Sequence, residues 1–354
     1  MAKYAIGLDG SSKKINCCLS FIDDVQKVKV VSSKVVDNTK KGFDEIINWA
    51  KKHRKDEAYP LIVGMEATGV YYEECAYYLF EKGYSVVVVL PNKAKKYMQA
   101  IGIKSKNDTI DAKGLSQMFA ERQFKLWQPM GKYFYELRSM TRHQEALQNM
   151  KTIFNNQLHA LKRGVYVEKT VAKQLQNQID FTDKQIKIIE NKITLHITSD
   201  KEIEKRVNNI VEIKGVGLLT VAVVIAETNG FVLFENASQL VSYAGYDVVE
   251  NQSGKHTGKT KMSKKGNSHI RRILHMPAFN VIRHKVDPFV NLYKRTFENH
   301  KIKMKSYVAV QKKLLVIIYS LWKNEVCFDK DYLKKNTREE EQVSTCLVNL
   351  AKAS

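Results

Sequence analysis

Short turns between strand-like runs constrain the first part of this chain most strongly. Residues 3–36 contain three apolar runs, "KYAIGLD", "INCCLSFID" and "KVKVVSSKVV", separated by a few polar residues. Strands joined by turns this short pair as an antiparallel meander. The segment "KGFDEIINWAKKH" then has apolar residues at helical spacing, which predicts a helix that crosses over to the next strand, "PLIVGME".

The same unit continues with a helix, a strand and a third helix, in "VYYEECAYYLFEKG", "YSVVVVLP" and "NDTIDAKGLSQMFAER". The predicted order is β-β-β-α-β-α-β-α, an antiparallel sheet extended by parallel strands. In that order the first strand is central, and the strand after the first helix lies beside it.

Four acidic residues occupy informative positions in this order. Asp9 and Glu66 would end neighbouring strands, and Asp108 and Asp111, three residues apart, would share one face of the third helix. Four carboxylates brought together would repel one another unless cations lay among them, and oxygen ligands suit Mg²⁺ or Mn²⁺. Taken singly, Asp9 could instead be a turn residue and Asp108 a helix cap. Taken together, the four favour a metal site.

Helical patterns dominate the rest of the chain. Two long runs broken at Gly164 predict either an antiparallel coiled-coil hairpin or a helix pair packed on a larger core. Their apolar positions are Leu137, Met140, Leu147, Met150, Phe154, Leu158 and Leu161, then Val171, Leu175, Ile179, Ile186, Ile189 and Ile193. A mostly helical unit follows and opens with "IVEIKGVGLLTVAVVIAET". Its Gly-x-Gly turn could present backbone N–H groups to a phosphate or could simply join two helices.

A strongly basic segment lies between residues 251 and 279. It has no acidic residue and is predicted to form a loop that contacts nucleic-acid phosphates, although such runs are often only solvated loops. Ser253 lies in "QSGK", where Gly254 leaves the hydroxyl uncrowded and nearby cations could stabilise developing negative charge. Composition alone does not choose Ser253 over Ser263 or Ser268. The candidate nucleic-acid contacts are Lys255, His256, Lys259, Lys261, Lys264, Lys265, Arg271 and Arg272.

The net charge supports a polyanionic partner. The sequence has 58 Lys and Arg against 37 Asp and Glu, a formal charge of +21. Counterion release makes such a surplus favourable for nucleic-acid binding. An anionic membrane surface is the competing partner, but no basic helix has an apolar face set apart as an anchor.

Cysteine usage and the first residues indicate the compartment. The five cysteines form no Cys-x-x-Cys pair, and "MAKYAIGLDG" is not a secretory signal. We therefore expect a soluble, globular protein in a reducing, intracellular setting.

The motifs together resemble one family. "GLD", "MEATGVYY", "KNDTIDAKGL", "IKGVG", "LVSYAGY", "QSGK", "MSKKGNSHIRRIL" and "AVQKKLLVIIY" occur in the order found in DEDD-type insertion-sequence transposases, described as bridge-RNA-guided recombinases. The resemblance spans about residues 3–322. It implies a RuvC-like domain of the RNase H fold at 1–128, a coiled-coil hairpin at 129–205, an α-helical transposase domain at 206–330 and a peripheral tail at 331–354.

The resemblance also implies roles. Asp9, Glu66, Asp108 and Asp111 match the metal-binding tetrad, and Ser253 matches the catalytic serine. Family members form dimers and tetramers in which the metal site of one subunit meets the serine of another, and a structured noncoding RNA pairs with donor and target DNA. Asp9 is followed by "GSSKK" where relatives have a bulkier residue and then Ser-Lys, which leaves open which lysine approaches the acidic site.

These observations predict an RNA-guided DNA recombinase that mobilises its own insertion element. An alternative is a metal-dependent nuclease or Holliday-junction resolvase that hydrolyses with water. A third possibility is a basic RNA- or DNA-binding protein whose carboxylates no longer work, but all four are present.

Overall fold

A computed structural model describes residues 2–329 except 104, 106, 251, 254, 255 and 259, and only the backbone of 252, 256 and 257. The predicted tail at 331–354 lies outside the described residues. The chain divides into two compact units, residues 1–129 and 130–354. No helix within the described part is long and apolar enough to cross a membrane.

The first unit is built on a five-stranded sheet. Its strands are β1 (Lys3–Gly10), β2 (Lys14–Ile22), β3 (Val28–Asp37), β4 (Leu61–Glu66) and β5 (Ser85–Val89). They lie in the order β3-β2-β1-β4-β5, in which β1 pairs antiparallel with β2 and parallel with β4. The predicted central position of the first strand is confirmed, and the order is that of an RNase H-like sheet.

Helices cover both faces of this sheet. They are α1 (Lys40–His53), α2 (Glu73–Glu81), α3 (Pro91–Ala100) and α4 (Asp108–Glu121). Because side chains alternate along a strand, Ile6 of β1 packs in one apolar cluster with Phe43 of α1, while Ala5 packs in the other with Leu115 of α4. The sequence predicted no helix between β5 and α4, so α3 is a correction to the expected order.

The second unit begins with two long helices, α5 (Lys132–Arg163) and α6 (Lys169–Thr198), which pack along each other. Leu147 and Leu158 of α5 are buried. Gln144 of α5 donates a hydrogen bond to Glu190 of α6 at 3.0 Å. Met150, predicted for the apolar seam, is 50% exposed. The seam is therefore less regular than the spacing indicated. The coiled-coil assignment and the predicted domain boundaries within this unit stay predictions.

The remainder of the second unit is mainly helical. The helices are α7 (Lys201–Val211), α8 (Leu218–Glu227), α9 (Ala237–Ala244), α10 (Ser268–Ile273), α11 (His275–Arg283), α12 (Phe289–His300) and α13 (Lys303–Asn324). Helix α8 is apolar on all sides and is accordingly buried, from Thr220 to Glu227. It shares one core with Leu314 and Ile318 of α13.

Four short strands lie between α9 and α10. They are β6 (Val248–Val249), β7 (Gln252–Ser253), β8 (His256–Thr257) and β9 (Lys261–Met262). Strand β6 pairs with β9, and β7 pairs with β8 inside them, both antiparallel. The first part of the basic segment therefore forms paired strands in the residues that the structure describes, and the predicted loop is corrected to this arrangement. We call residues 248–262 the serine hairpin.

Candidate active site

The four carboxylates come from two adjacent strands and one helix. Strands β1 and β4 run parallel with Leu8 opposite Met65, so the next residues along each strand, Asp9 and Glu66, reach the same edge of the sheet. Asp9 lies within β1 and pairs with Asn16 of β2, so it is not a turn residue. The first turn of α4 brings Asp108 and Asp111 to this edge.

The local sequence explains where α4 begins. Asn107 has extended backbone geometry, and its side-chain oxygen accepts a hydrogen bond from the N–H of Ile110 at 2.8 Å. Asn107 is therefore the helix cap. The alternative role of Asp108 as the cap is therefore wrong.

All four carboxylates line a single cavity of about 530 Å³. Asp9, Glu66 and Asp111 are half-buried and Asp108 is exposed. The hydroxyl of Thr68 donates a hydrogen bond to Glu66 Oε1 at 2.9 Å, which holds that carboxylate at the cavity. The cavity therefore gathers four oxygen-donor side chains from residues up to 102 positions apart, from Asp9 to Asp111.

The carboxylates surround this cavity without converging on one point. Among the described residues, no three His, Cys, Asp or Glu side chains lie close enough together to hold a metal ion. The chemistry of the donor set nevertheless fits a hard divalent cation, since such ions prefer carboxylate oxygens and keep several water ligands.

Helix α3 forms a further wall of the cavity. Its residues Pro91, Asn92, Lys95, Met98 and Gln99 line the same space as the acidic side chains. The sequence analysis missed this helix because it is short and mostly polar. Pro91 after the strand "YSVVVVLP", at a favoured first helical position, was the available signal. Lys95 lines the cavity, whereas Lys13 and Lys14 of "GSSKK" do not.

Ser253 is exposed at the end of strand β7, in the serine hairpin of the second unit. Its backbone pairs with that of His256 directly across the hairpin. This exposure leaves the hydroxyl accessible to a large substrate. Lys255 and Lys259, predicted nucleic-acid contacts, lie outside the described residues, and of His256 only the backbone is described.

The remaining basic candidates fall into two groups. Lys261, Lys264 and Lys265 are exposed near the base of the serine hairpin. Arg271 instead donates to the carbonyl oxygens of Ala244 at 2.8 Å and Asn267 at 3.2 Å.

Arg272 is also held within the protein, by α5. Its guanidinium donates to Glu145 Oε1 at 3.0 Å and to Asn149 Oδ1 at 2.5 Å. The structure therefore uses Arg271 and Arg272 in internal anchoring contacts, and their predicted role in nucleic-acid binding stays a prediction.

A buried carboxylate anchors the chain that follows the serine hairpin. Glu227, at the end of α8, has a side chain only 1% exposed and accepts two hydrogen bonds from Arg142 of α5, at 2.7 and 2.9 Å. Asn267 Nδ2 donates to Glu227 at 2.7 Å, and Tyr243 donates to its carbonyl oxygen at 3.0 Å. Burial raises the pKa of Glu227, but the hydrogen bonds from Arg142 and Asn267 outweigh burial and lower the pKa below its usual value.

Next to it, His269 completes the anchor. Its Nδ1 lies 2.6 Å from Glu145 Oε2, the carboxylate that also holds Arg272. Asn267 caps α10 by accepting from the N–H groups of His269 and Ile270. The sequence analysis did not identify this network, although Glu227 as a lone acidic residue in the apolar run "VAVVIAET" was a signal.

Comparison with known families identifies the chain. A DEDD-type IS110 transposase model matches residues 6–167, which include the four carboxylates. A second model, of the transposase IS116/IS110/IS902 family, matches residues 207–294, which include Ser253. The chain belongs to this transposase family. It is therefore a DNA transposase or recombinase, an enzyme of phosphoryl transfer.

Relatives of this transposase include the pilin gene-inverting proteins of Moraxella bovis and Moraxella lacunata. Each is 25% identical over 331 residues, which is 93% of this chain and 99% of the relative. Among solved structures, T. thermophilus RuvC in complex with a Holliday junction substrate aligns with a TM-score of 0.26 and 11% identity, over 33% of this chain and 93% of RuvC. The Aquifex aeolicus member of the Ppx/GppA family aligns with a TM-score of 0.21 and 11% identity, over 99% of both chains.

Proposed function

We propose that this transposase is an RNA-guided DNA recombinase that mobilises its own insertion element. Asp9, Glu66, Asp108 and Asp111 would hold divalent metal, Mg²⁺ or Mn²⁺, and position the scissile phosphate, and Ser253 would attack it. The observation that carries the proposal is the arrangement of the four carboxylates around one cavity.

The metal ions would neutralise the carboxylates and polarise the phosphate oxygens when bound. The chain's own contribution is to hold those ions with four oxygen-donor side chains at the edge of the sheet. Half-burial of Asp9, Glu66 and Asp111 excludes part of the surrounding water, which strengthens their attraction for cations.

The serine step is a phosphoryl transfer. The Oγ of Ser253 forms a bond to phosphorus while one P–O bond of the DNA phosphodiester breaks. Ser253 loses its hydroxyl proton, and the oxygen of the leaving strand gains a proton. The covalent serine–phosphate bond conserves the energy of the broken phosphodiester, so the strand can be rejoined to another end. The names of the Moraxella relatives, which invert a gene, support chemistry that rejoins strands over simple hydrolysis.

The guide RNA and the oligomer belong to the same proposal. The net charge of +21 supports binding of more than one polyanion, and the family resemblance supports a structured RNA that pairs with donor and target DNA. We propose a homodimer that assembles to a tetramer, in which the carboxylates of one subunit act with Ser253 of another.

Complementation between two inactive variants tests this arrangement. A plasmid carrying the gene with its native flanking DNA reports excision or inversion through a junction amplified by PCR. We expect Ser253→Ala alone and Asp111→Asn alone to give no junction, and their co-expression to restore part of the activity, because mixed assemblies contain intact carboxylates beside an intact serine. Ser263→Ala is the matched control and should remain active.

The outcomes separate the alternatives. If Ser253→Ala still cleaves DNA and no protein–DNA adduct forms with the unmodified protein, water is the nucleophile and the resolvase alternative is correct. If no co-expressed pair recovers activity although each variant keeps the melting temperature of the unmodified protein, the arrangement across subunits is wrong. RNA that copurifies with the protein and maps next to its gene is the expected finding for guidance, and its absence would contradict it.

A further inference from the structure

The cavity lined by the four carboxylates has a second wall with different chemistry. Asn92, Lys95 and Gln99 of α3 line it, and their spacing of three and four places them on one helical face. Among the lining residues that the structure describes, Lys95 is the one with a positive charge. Lys104 and Lys106 lie outside the described residues.

The opposite face of α3 is firmly held. Ala94 and Tyr97 are buried in the core of the first unit, at 0% and 4% exposure. The hydroxyl of Tyr97 donates a hydrogen bond to Glu121 of α4 at 2.7 Å. Burial, together with that hydrogen bond, raises the pKa of Tyr97. Helix α3, and with it Lys95, is thereby fixed to the helix that carries Asp108 and Asp111.

The ammonium group of Lys95 is available for a ligand. Lys95 is exposed, and within the described part of the chain its side chain makes no hydrogen bond or ion pair. An ammonium that lines an acidic cavity without pairing with its carboxylates remains free to bind an incoming anion.

The charges of the cavity explain why binding of an anion there requires a positively charged side chain. Four carboxylates contribute four negative charges, which two divalent ions of the kind used in phosphoryl transfer would balance. A phosphodiester entering the same space adds one further negative charge. Lys95 supplies the matching positive charge, and the amide groups of Asn92 and Gln99 can donate hydrogen bonds to phosphate oxygens.

We propose that Lys95, flanked by Asn92 and Gln99, is a binding subsite for the sugar–phosphate backbone of the DNA strand to be cut. This subsite rests on the proposed function, because it requires that DNA enters the cavity lined by the carboxylates. It assigns to α3 a role in binding substrate that is separate from metal binding by the carboxylates.

A charge-matched pair of variants tests the subsite. Lys95→Ala and Lys96→Ala remove the same charge from the same exposed helix, but Lys96 does not line the cavity. The full-length protein, with any copurified RNA, is titrated with a labelled DNA duplex taken from the flanking sequence of the gene. Ca²⁺ replaces Mg²⁺ as an oxygen-binding cation, and the titration is repeated over a series of salt concentrations.

We expect Lys95→Ala to weaken binding about tenfold, the effect of losing one charge-assisted hydrogen bond. The slope of log affinity against log salt should become less negative by about 0.9, the loss of one phosphate contact. Lys95→Arg should recover most of the affinity, and Lys96→Ala should stay within about twofold of the unmodified protein. Equal effects of Lys95→Ala and Lys96→Ala on affinity and slope would overturn the subsite.

Asp111→Asn, assayed in parallel, separates this inference from the proposed function. If Asp111→Asn abolishes cleavage while Lys95→Ala behaves like Lys96→Ala, the metal proposal stands and the subsite is wrong. If Asp111→Asn cleaves normally, the metal proposal is wrong, and a specific loss of binding in Lys95→Ala would still support the subsite.

Discussion

Gly7 of β1 lies directly against Ser116 of α4. A Cβ at Gly7 would be 2.2 Å from the backbone nitrogen of Ser116 and 2.3 Å from the carbonyl oxygen of Ala112. On the neighbouring strand, a Cβ at Gly64 would lie 2.1 Å from the ring of Phe119. Asp9 and Glu66 each follow one of these glycines by two positions. The glycines that let α4 approach the sheet therefore also bring its acidic first turn to the two strand ends.

Substituting Gly7 should damage both stability and activity. We expect Gly7→Ala to lower the free energy of unfolding by about 1–3 kcal/mol, the cost of forcing a methyl group into a packed contact, and to reduce DNA cleavage because α4 moves away from β1. Urea denaturation and the plasmid junction assay measure the two effects.

Gly10→Ala is the control, since a Cβ there would lie no closer than 3.9 Å to its nearest neighbour, the carbonyl oxygen of Tyr71. Its unfolding free energy should stay within about 1 kcal/mol of the unmodified protein, the cost typical of a single Gly-to-Ala change without a clash. A Gly7→Ala protein as stable as Gly10→Ala would show that the close approach of α4 is not required.

Arg142 should be essential for the stability of the second unit. Arg142→Ala leaves the buried carboxylate of Glu227 without its cation, although the Arg142 side chain is itself 46% exposed and Asn267 still donates to that carboxylate. We expect a loss of about 1–3 kcal/mol, the cost of leaving a buried polar group incompletely paired. Lys132→Ala, also on α5, breaks an exposed pair with Glu136 whose lysine side chain is 89% exposed, and should change stability by less than about 1 kcal/mol. Differential scanning calorimetry would measure both, and similar melting temperatures for the two variants would contradict the importance of the pair between Arg142 and Glu227.

Acid should destabilise the protein partly through Glu227. The hydrogen bonds from Arg142 and Asn267 leave the pKa of Glu227 below its usual value. The carboxylate of Glu227 therefore binds a proton less readily in the folded state than in the unfolded state. The resulting stability is present above the unfolded pKa of about 4.3 and is lost as the pH falls through the lower folded pKa.

Melting temperatures recorded between about pH 3 and about pH 6 should therefore fall more steeply at the acid end in the unmodified protein than in Glu227→Gln. The variant has no proton to bind at this position, although it is less stable at neutral pH. Parallel curves for the two proteins would refute a depressed pKa for Glu227.

Binding to DNA should depend steeply on salt. With a net charge of +21, we expect several phosphate contacts, and each contributes about −0.9 to the slope of log affinity against log salt. Affinity for a duplex should therefore fall at least tenfold between about 50 and about 200 mM salt. A flat response would show that the surplus of basic residues does not face nucleic acid.

Pattern alone determined much of the first unit. Alternating apolar residues and short turns placed β1, β2 and β3, and the predicted order put Asp9 beside Glu66, because adjacent parallel strands end at the same edge of a sheet. The i, i+3 spacing likewise put Asp108 and Asp111 on one helical face. These features depend on near neighbours in the chain or on strand order, so a sequence without a structure can reveal them.

Tertiary packing decided the rest. The cavity forms only because Gly7 and Gly64 allow α4 to approach the sheet, and α3, too short and polar to show a clear pattern, contributes Lys95 to its other wall. Composition showed that residues 251–279 are basic. It could not show that Arg271 and Arg272 are held by Ala244 and Glu145, because hydrogen bonds between distant residues leave no periodic trace in the sequence.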